Sequence, residues 1–244
     1  MRHLVIGDIH GNLVALKQVL DKCNYDPSND VLYFLGDYVD GWPNSKQVID
    51  YLMKLSEKGL CIFIKGNHDD WWEAWVYNPV LQPHIWTSQG GNSTLESYGG
   101  QFPPDSHKQF CKEMKPYHID EKDNVFVHGG FPTARVEELE LGYPSRGTLW
   151  WDRTMANRVW MNRTMDVKKK WHNHKGLVFI GHSQTTAFDR KWTTPINKGG
   201  IVMLDTGAGY LDGCLTVMNV DEPEEYWQSN INTIEWPYKG HWGR

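Results

Sequence analysis

Five short polar motifs punctuate the chain: Gly7-Asp8-Ile9-His10-Gly11, Gly36-Asp37-Tyr38-Val39-Asp40-Gly41, Gly66-Asn67-His68-Asp69, His128-Gly129-Gly130 and Gly181-His182-Ser183. Each follows an apolar run, so each reads as a strand end where glycine permits a tight turn and close backbone approach. Taken singly they are ordinary, because a Gly-Asp pair after a strand is commonly a turn and a lone histidine is commonly structural. Their joint occurrence is not ordinary. If the ends converge, Asp8, His10, Asp37, Asn67, His128 and His182 form a mixed nitrogen and oxygen donor set. Such a set suits Mn²⁺, Fe or Zn²⁺, and the absence of a thiolate argues against a structural zinc site. Two ions held about 3.5–4 Å apart lower the pKa of a bridging water and clamp the attacking and departing oxygens of a displacement at phosphorus. That chemistry hydrolyses a phosphate ester without a side-chain nucleophile.

The elements that must position these residues follow from the apolar patterning. Residues 2–6, 31–35 and Leu60 to Lys65 are short buried strands ending at glycine. Leu13, Leu16 and Leu20 recur at helical spacing between the first two strands. Val48, Leu52 and Leu55 do so between the second and third, behind Asn44 or Ser45 as a cap. This β-α-β-α-β run predicts a right-handed parallel unit whose ligands collect beyond the carboxyl ends of the strands. Further strands are expected at Asn124–His128, Leu177–Gly181, Gly200–Asp205 and Cys214–Val220, with helical or irregular material in 69–115 and 147–172.

The chain has 244 residues, 40% of them hydrophobic, enough for one domain over 1–244, with 223–244 expected as a packed C-terminal tail carrying Trp227, Trp236 and Trp242. The 25 basic and 30 acidic residues give a net charge of −5, which opposes broad attachment to nucleic acid or an anionic membrane. Cys23, Cys61, Cys111 and Cys214 are widely spaced and read as reduced thiols. Leu4-Val5-Ile6 is too short for a signal-peptide core and no stretch approaches a membrane span, so the expected location is the cytoplasm. The 13 tryptophans are expected mostly in the core or in a cleft wall. Arg153, Arg158, Arg163, Lys168, Lys169, Lys170 and Lys175 make a basic segment, expected as a solvated face.

The motif series resembles the calcineurin-like metallophosphoesterase superfamily, and within it the phosphoprotein phosphatase branch with its small bacterial and phage members. The resemblance spans about residues 4 to 210 and implies an α/β (α+β) fold, two mixed β-sheets in a sandwich flanked by helices. It implies Asp8 and His10 as ligands of a first metal, Asp37 as the bridging carboxylate, and Asn67, His128 and His182 as ligands of a second. It further implies His68 as proton donor to the leaving oxygen and Asp40 as the carboxylate that orients it. The Asp205-Thr206-Gly207-Ala208 turn resembles the one after the last ligand strand in small bacterial members.

Two departures stand out. Where the branch usually continues Asp-Arg-Gly, Asp40 is followed by Gly41, Trp42 and Pro43, and the usual arginine before Gly-Asn-His is Lys65. Arg153, in Leu149-Trp150-Trp151-Asp152-Arg153, is the candidate replacement for binding substrate phosphate, together with Asn67; the competing reading pairs it with Asp152 or Asp166. The resemblance implies a manganese-dependent phosphomonoesterase acting on phosphoserine or phosphothreonine proteins or a small phosphate ester. The alternative is a symmetrical bis(5'-nucleosyl)-tetraphosphatase, which would give tryptophan walls a base-stacking role. A third reading is a catalytically silent metal-binding module.

Overall fold

A computed structural model describes residues 1–230 other than 133, 134, 143, 168 and 173. Among the described residues there are ten strands: β1 (Arg2–Ile6), β2 (Asp30–Phe34), β3 (Leu60–Phe63), β4 (Tyr117–Ile119), β5 (Val125–Val127), β6 (Val178–Ile180), β7 (Ile196–Lys198), β8 (Ile201–Met203), β9 (Thr216–Asn219) and β10 (Tyr226–Gln228). They form two five-stranded sheets, ordered β10-β9-β1-β2-β3 and β4-β5-β6-β8-β7. Both are mixed. β1, β2 and β3 run parallel in the first sheet and β5, β6 and β8 in the second, while the remaining strands pair antiparallel.

Side chains alternate across each strand, and here both faces are covered, which is why the strands read as unbroken apolar runs. Val5, Val31 and Tyr33 of the first sheet meet Phe126, Phe179 and Val202 of the second in a shared inner layer. Tyr33 lies flat on Phe126 with ring centres 4.0 Å apart. Leu4, Ile6, Leu32 and Phe34 point the other way. They pack on three helices, α1 (Leu13–Lys22), α2 (Ser45–Ser56) and α3 (Asn67–Tyr77). On the far side, Val127, Val178 and Met203 pack against Leu149, Met155 and Val159 from the helices Arg146–Trp151 and Thr154–Met161. Each such side chain contributes about 1.5–3 kcal/mol on burial. The layers are therefore helix, sheet, sheet, helix, as the motifs imply.

The details depart from expectation in definite ways. Asn12 caps α1, its Oδ1 accepting from Ala15 N–H at 2.9 Å. Asn44 precedes α2 without a side-chain capping bond, and Ser45 Oγ instead accepts from Asp40 N–H at 3.0 Å. The third strand stops at Phe63, after which Ile64 makes an isolated bridge to Lys115. The strand expected over Cys214–Val220 is confined to Thr216–Asn219. The start of the tail forms β10, an edge strand on β9, while Trp236 and Trp242 lie outside the described residues.

The basic segment is not simply solvated. Arg158 sits over Trp171 at 4.6 Å and Arg163 over Trp160 at 3.7 Å, so indole faces hold both cations. Lys170 donates to the carbonyls of Lys175 and Gly176, and Lys168 lies outside the described residues. Among the described residues, no helix is long and apolar enough to cross a membrane.

Candidate metal centre

The polar turns leave the carboxyl ends of the parallel strands of both sheets. Asp8 and His10 follow β1, Asp37 and Asp40 follow β2, Asn67 and His68 follow β3, His128 follows β5 and His182 follows β6. The two sheets meet there. His182 N–H donates to Asp8 Oδ2 at 2.9 Å, and His128 Nε2 stands 3.1 Å from Asn67 Oδ1 and 3.3 Å from Asp37 Oδ2. His10 Nε2 is 3.7 Å from the same Asp37 oxygen. Donor atoms of Asp37, His128 and His182 lie within 4.8 Å of one another, and so do those of His10, Asp37 and His68. Asp37 belongs to both groups, as a bridging ligand must.

Three observations fit divalent cations at this place. First, Asp8 Oδ1, His182 Nε2 and Asp205 Oδ2 are buried with no hydrogen-bond partner, and a buried unsatisfied polar atom costs about 1–3 kcal/mol, more when charged. Second, His10 Nδ1 lies 3.2 Å from Val39 O and His128 Nδ1 lies 2.8 Å from Leu35 O. Each ring donates Nδ1–H to its carbonyl, which turns Nε2 towards the centre. Third, the backbone closes tightly on the carboxylates: a Cβ at Gly181 would lie 2.2 Å from Asp8 Oδ1, and one at Gly66 would lie 2.1 Å from Asp37 Oδ1.

Backbone strain gathers at the same point. His10, Asp37, Asp40 and His182 have φ of 51°, 50°, 70° and 60°, the left-handed region that non-glycine residues seldom occupy. Asp69 holds two of these turns together. Its buried carboxylate accepts from the N–H groups of Asp37 at 2.7 Å, Tyr38 at 2.9 Å and Gly66 at 2.9 Å.

The electrostatics follow from burial and crowding. Burial, with the charges of Asp205 and Asp37, raises the Asp8 carboxyl well above the usual range. Burial alone would also raise Asp37, but His128, His68 and His10 outweigh it and hold that carboxyl well below. His10 falls to about 4 and His182 to about 2, burial being the main cause in each. His68 behaves oppositely: burial lowers it, yet Asp37 and Asp40 overcome this and lift it to about 9. His68 Nδ1 donates to Asp40 Oδ2 at 2.7 Å, which sets the imidazole against a fully buried carboxylate.

A cleft of about 90 Å³ opens over this cluster, lined by His10, Asp37, Asn67, His68, Trp151, Arg153 and His182 together with Gln89, Gln184, Gly209 and Tyr210. Asp8 and His128 lie beneath it, buried. Arg153 is the one guanidinium or ammonium among the described residues of that lining. Its Nη1 donates to His182 O and Ser183 Oγ, each at 3.1 Å. Asp152 is occupied otherwise, accepting from Thr154 N–H and Oγ1. Lys65 turns away from the cleft, bonded to Asp70 at 2.8 Å and to Glu73, with its ammonium 4.6 Å over Trp150. Gly41, at φ 91°, presses its N–H towards Gly90 O at 3.4 Å.

The sequence motifs therefore brought together all six donor residues, with His68, Asp40 and Arg153 beside them. They did not reveal Asp69 or Asp205 as parts of the centre, nor Gln89, Gln184 and Tyr210 as its rim. Asp69 carried one usable signal, an acidic residue at the third position of α3 behind Gly66.

Comparison with known proteins bears on the same features. A family model described as calcineurin-like phosphoesterase matches residues 1–214. A symmetrical bis(5'-nucleosyl)-tetraphosphatase of Pseudomonas fluorescens (strain SBW25) is 38% identical, across 93% of this chain and 94% of its own. A metallophosphoesterase from Sphaerobacter thermophilus superposes with a TM-score of 0.56 at 19% identity, covering 94% of this chain and 89% of that one. A serine/threonine phosphatase from Saccharomyces cerevisiae superposes with a TM-score of 0.59 at 15% identity, covering 97% and 81%. The last two share the fold.

Proposed function

This chain belongs to the calcineurin-like phosphoesterase family, and from that premise we propose that it hydrolyses the polyphosphate bridge of a dinucleoside tetraphosphate symmetrically, giving two nucleoside diphosphates. The observation that carries this reading is an indole at the mouth of the cleft. Trp151 is 44% exposed beside the donor cluster, its ring edge-on to His182 at 5.7 Å. An exposed indole there offers a face on which a base stacks, which a phosphoserine peptide would not need. The Pseudomonas relative supports the dinucleotide over the phosphoprotein substrate that the resemblance implies.

We assign Asp8, His10 and Asp37 to one metal and Asp37, Asn67, His128 and His182 to the other. Mn²⁺ is the first candidate for this thiolate-free set, with Fe and Zn²⁺ next. When bound, the metals supply an ionised water and polarise the reacting phosphoryl group. His68, held by Asp40, stands in the cleft lining to protonate the departing oxygen. Arg153, fixed through Nη1, presents the rest of its fork to phosphoryl oxygens. The unpaired cysteines accord with a cytoplasmic location.

The test is product analysis with diadenosine tetraphosphate and Mn²⁺. Two ADP are expected; ATP with AMP would reject symmetrical cleavage, and turnover of phosphopeptides alone would restore the protein phosphatase reading. Trp151→Ala should raise KM for the dinucleotide by about 5- to 150-fold, the worth of one base–aromatic stack, and leave p-nitrophenyl phosphate kinetics unchanged. Arg153→Ala should lower kcat/KM by the equivalent of about 2–4 kcal/mol with metal content preserved, and Arg153→Lys should already impair turnover because an ammonium lacks the fork. Arg153→Ala kinetics within about twofold of the parent would remove Arg153 from the site.

A further inference from the structure

Asp40 is fully buried, and a buried carboxylate persists only where donors satisfy it. Its donors come from a segment that the motifs left without a role. Trp86 Nε1–H straddles both oxygens, 2.9 Å from Oδ2 and 3.1 Å from Oδ1. Thr94 Oγ1 donates to Oδ1 at 2.6 Å and also accepts from Asp40 N–H at 3.0 Å. These bonds do more than satisfy charge. A carboxylate can turn about Cβ–Cγ, and a donor bridging both oxygens fixes its plane. With Oδ1 pinned by Thr94, Oδ2 is the atom left for His68 Nδ1 at 2.7 Å.

We propose that Trp86 and Thr94 are positioning residues for proton delivery: they lock the plane of Asp40 and thereby aim the His68 imidazole at the departing oxygen. The inference rests on the reading of His68 as general acid. The segment is shaped for this task. Trp86 is fully buried, and a Cβ on Gly91 would lie 2.7 Å from its Nε1, so the absence of a side chain at residue 91 lets the indole reach Asp40. The intervening backbone breaks helical geometry at Gln89 and Gly90, and Gln89 enters the cleft lining. One stretch of chain thus touches both the cleft and the carboxylate behind the acid.

The experiment compares Trp86→Phe, Thr94→Val, Thr94→Ser and Gly91→Ala with the parent and with His68→Asn, in the Mn²⁺-loaded protein. Phenyl phosphate and p-nitrophenyl phosphate serve as poor and good leaving groups. Trp86→Phe, Thr94→Val and Gly91→Ala should each lower kcat for the phenyl ester about tenfold more than for the p-nitrophenyl ester, with KM and metal content unchanged, and Thr94→Ser should restore the parent ratio. A second measurement needs no turnover. The Trp86 indole N–H, found in an indole ¹⁵N-labelled spectrum of the diamagnetic Zn²⁺-loaded protein by its loss in Trp86→Phe, should lie downfield as a donor to a carboxylate and move upfield in Asp40→Asn. Equal losses on both esters, or an indole signal indifferent to Asp40→Asn, would overturn the proposal. If His68→Asn itself shows no dependence on the leaving group, the general-acid reading fails first, and the two failures are distinguishable.

Discussion

Chelation that strips divalent metal, verified by elemental analysis, is expected to abolish turnover, and added Mn²⁺ is expected to restore it. The expectation stems from the orphaned atoms Asp8 Oδ1, His182 Nε2 and Asp205 Oδ2, which converge where two groups of donors share Asp37. Among the described residues no serine is set up as an alternative nucleophile at that place: Ser183 Oγ accepts from Arg153 Nη1 and donates to no imidazole. Binding should also appear in stability, because a ligand of the folded state alone stabilises by about 2.7 kcal/mol at one hundred times its Kd. The melting temperature of the stripped protein should therefore rise with added metal. A verified metal-free sample that retains activity would end the two-metal reading.

His68→Asn should leave metal content nearly intact and lower kcat by about 10²–10⁴-fold for substrates with poor leaving groups. The geometry separates binding from proton transfer. The Nδ1 atom of His68 is committed to Asp40 at 2.7 Å, and its ring stands edge-on to His10 at 4.9 Å between the donor cluster and the cleft. The deficit should shrink for p-nitrophenyl phosphate, whose leaving group needs little protonation. His68 also falls within one of the two donor groups. A variant that loses a metal ion together with activity would make it a ligand instead.

The strands legible in the sequence were those buried on both faces, such as Leu4-Val5-Ile6 and Val125-Phe126-Val127, where apolar residues run without interruption. Three strands escaped, and all are three-residue strands at sheet edges: β4, β7 and β10. So short a run, part exposed, has too few alternations to register. The same contrast holds for the site. The proposed site residues announce themselves because a glycine-flanked turn at a strand end is a local signal. The residues that hold Asp40 do not: Trp86 and Thr94 reach it across 46 and 54 positions of chain, so only tertiary packing reveals them. Lys65 adjoins the motif yet points to Asp70 and Glu73, a direction that its place in the sequence does not disclose.

Because Asp8 and Asp37 leave one sheet and His128 and His182 leave the other, neither half of the sandwich can assemble the centre alone. Bringing together residues so distant in sequence requires closing long loops, which slows folding. Ions held across that seam would act as a staple between the halves, whose effect falls on opening rather than closing wherever the seam forms after the barrier. Metal loading would then lengthen the lifetime of the native state more than it hastens its formation, so an apo population would be the one that proteases and aggregation find first.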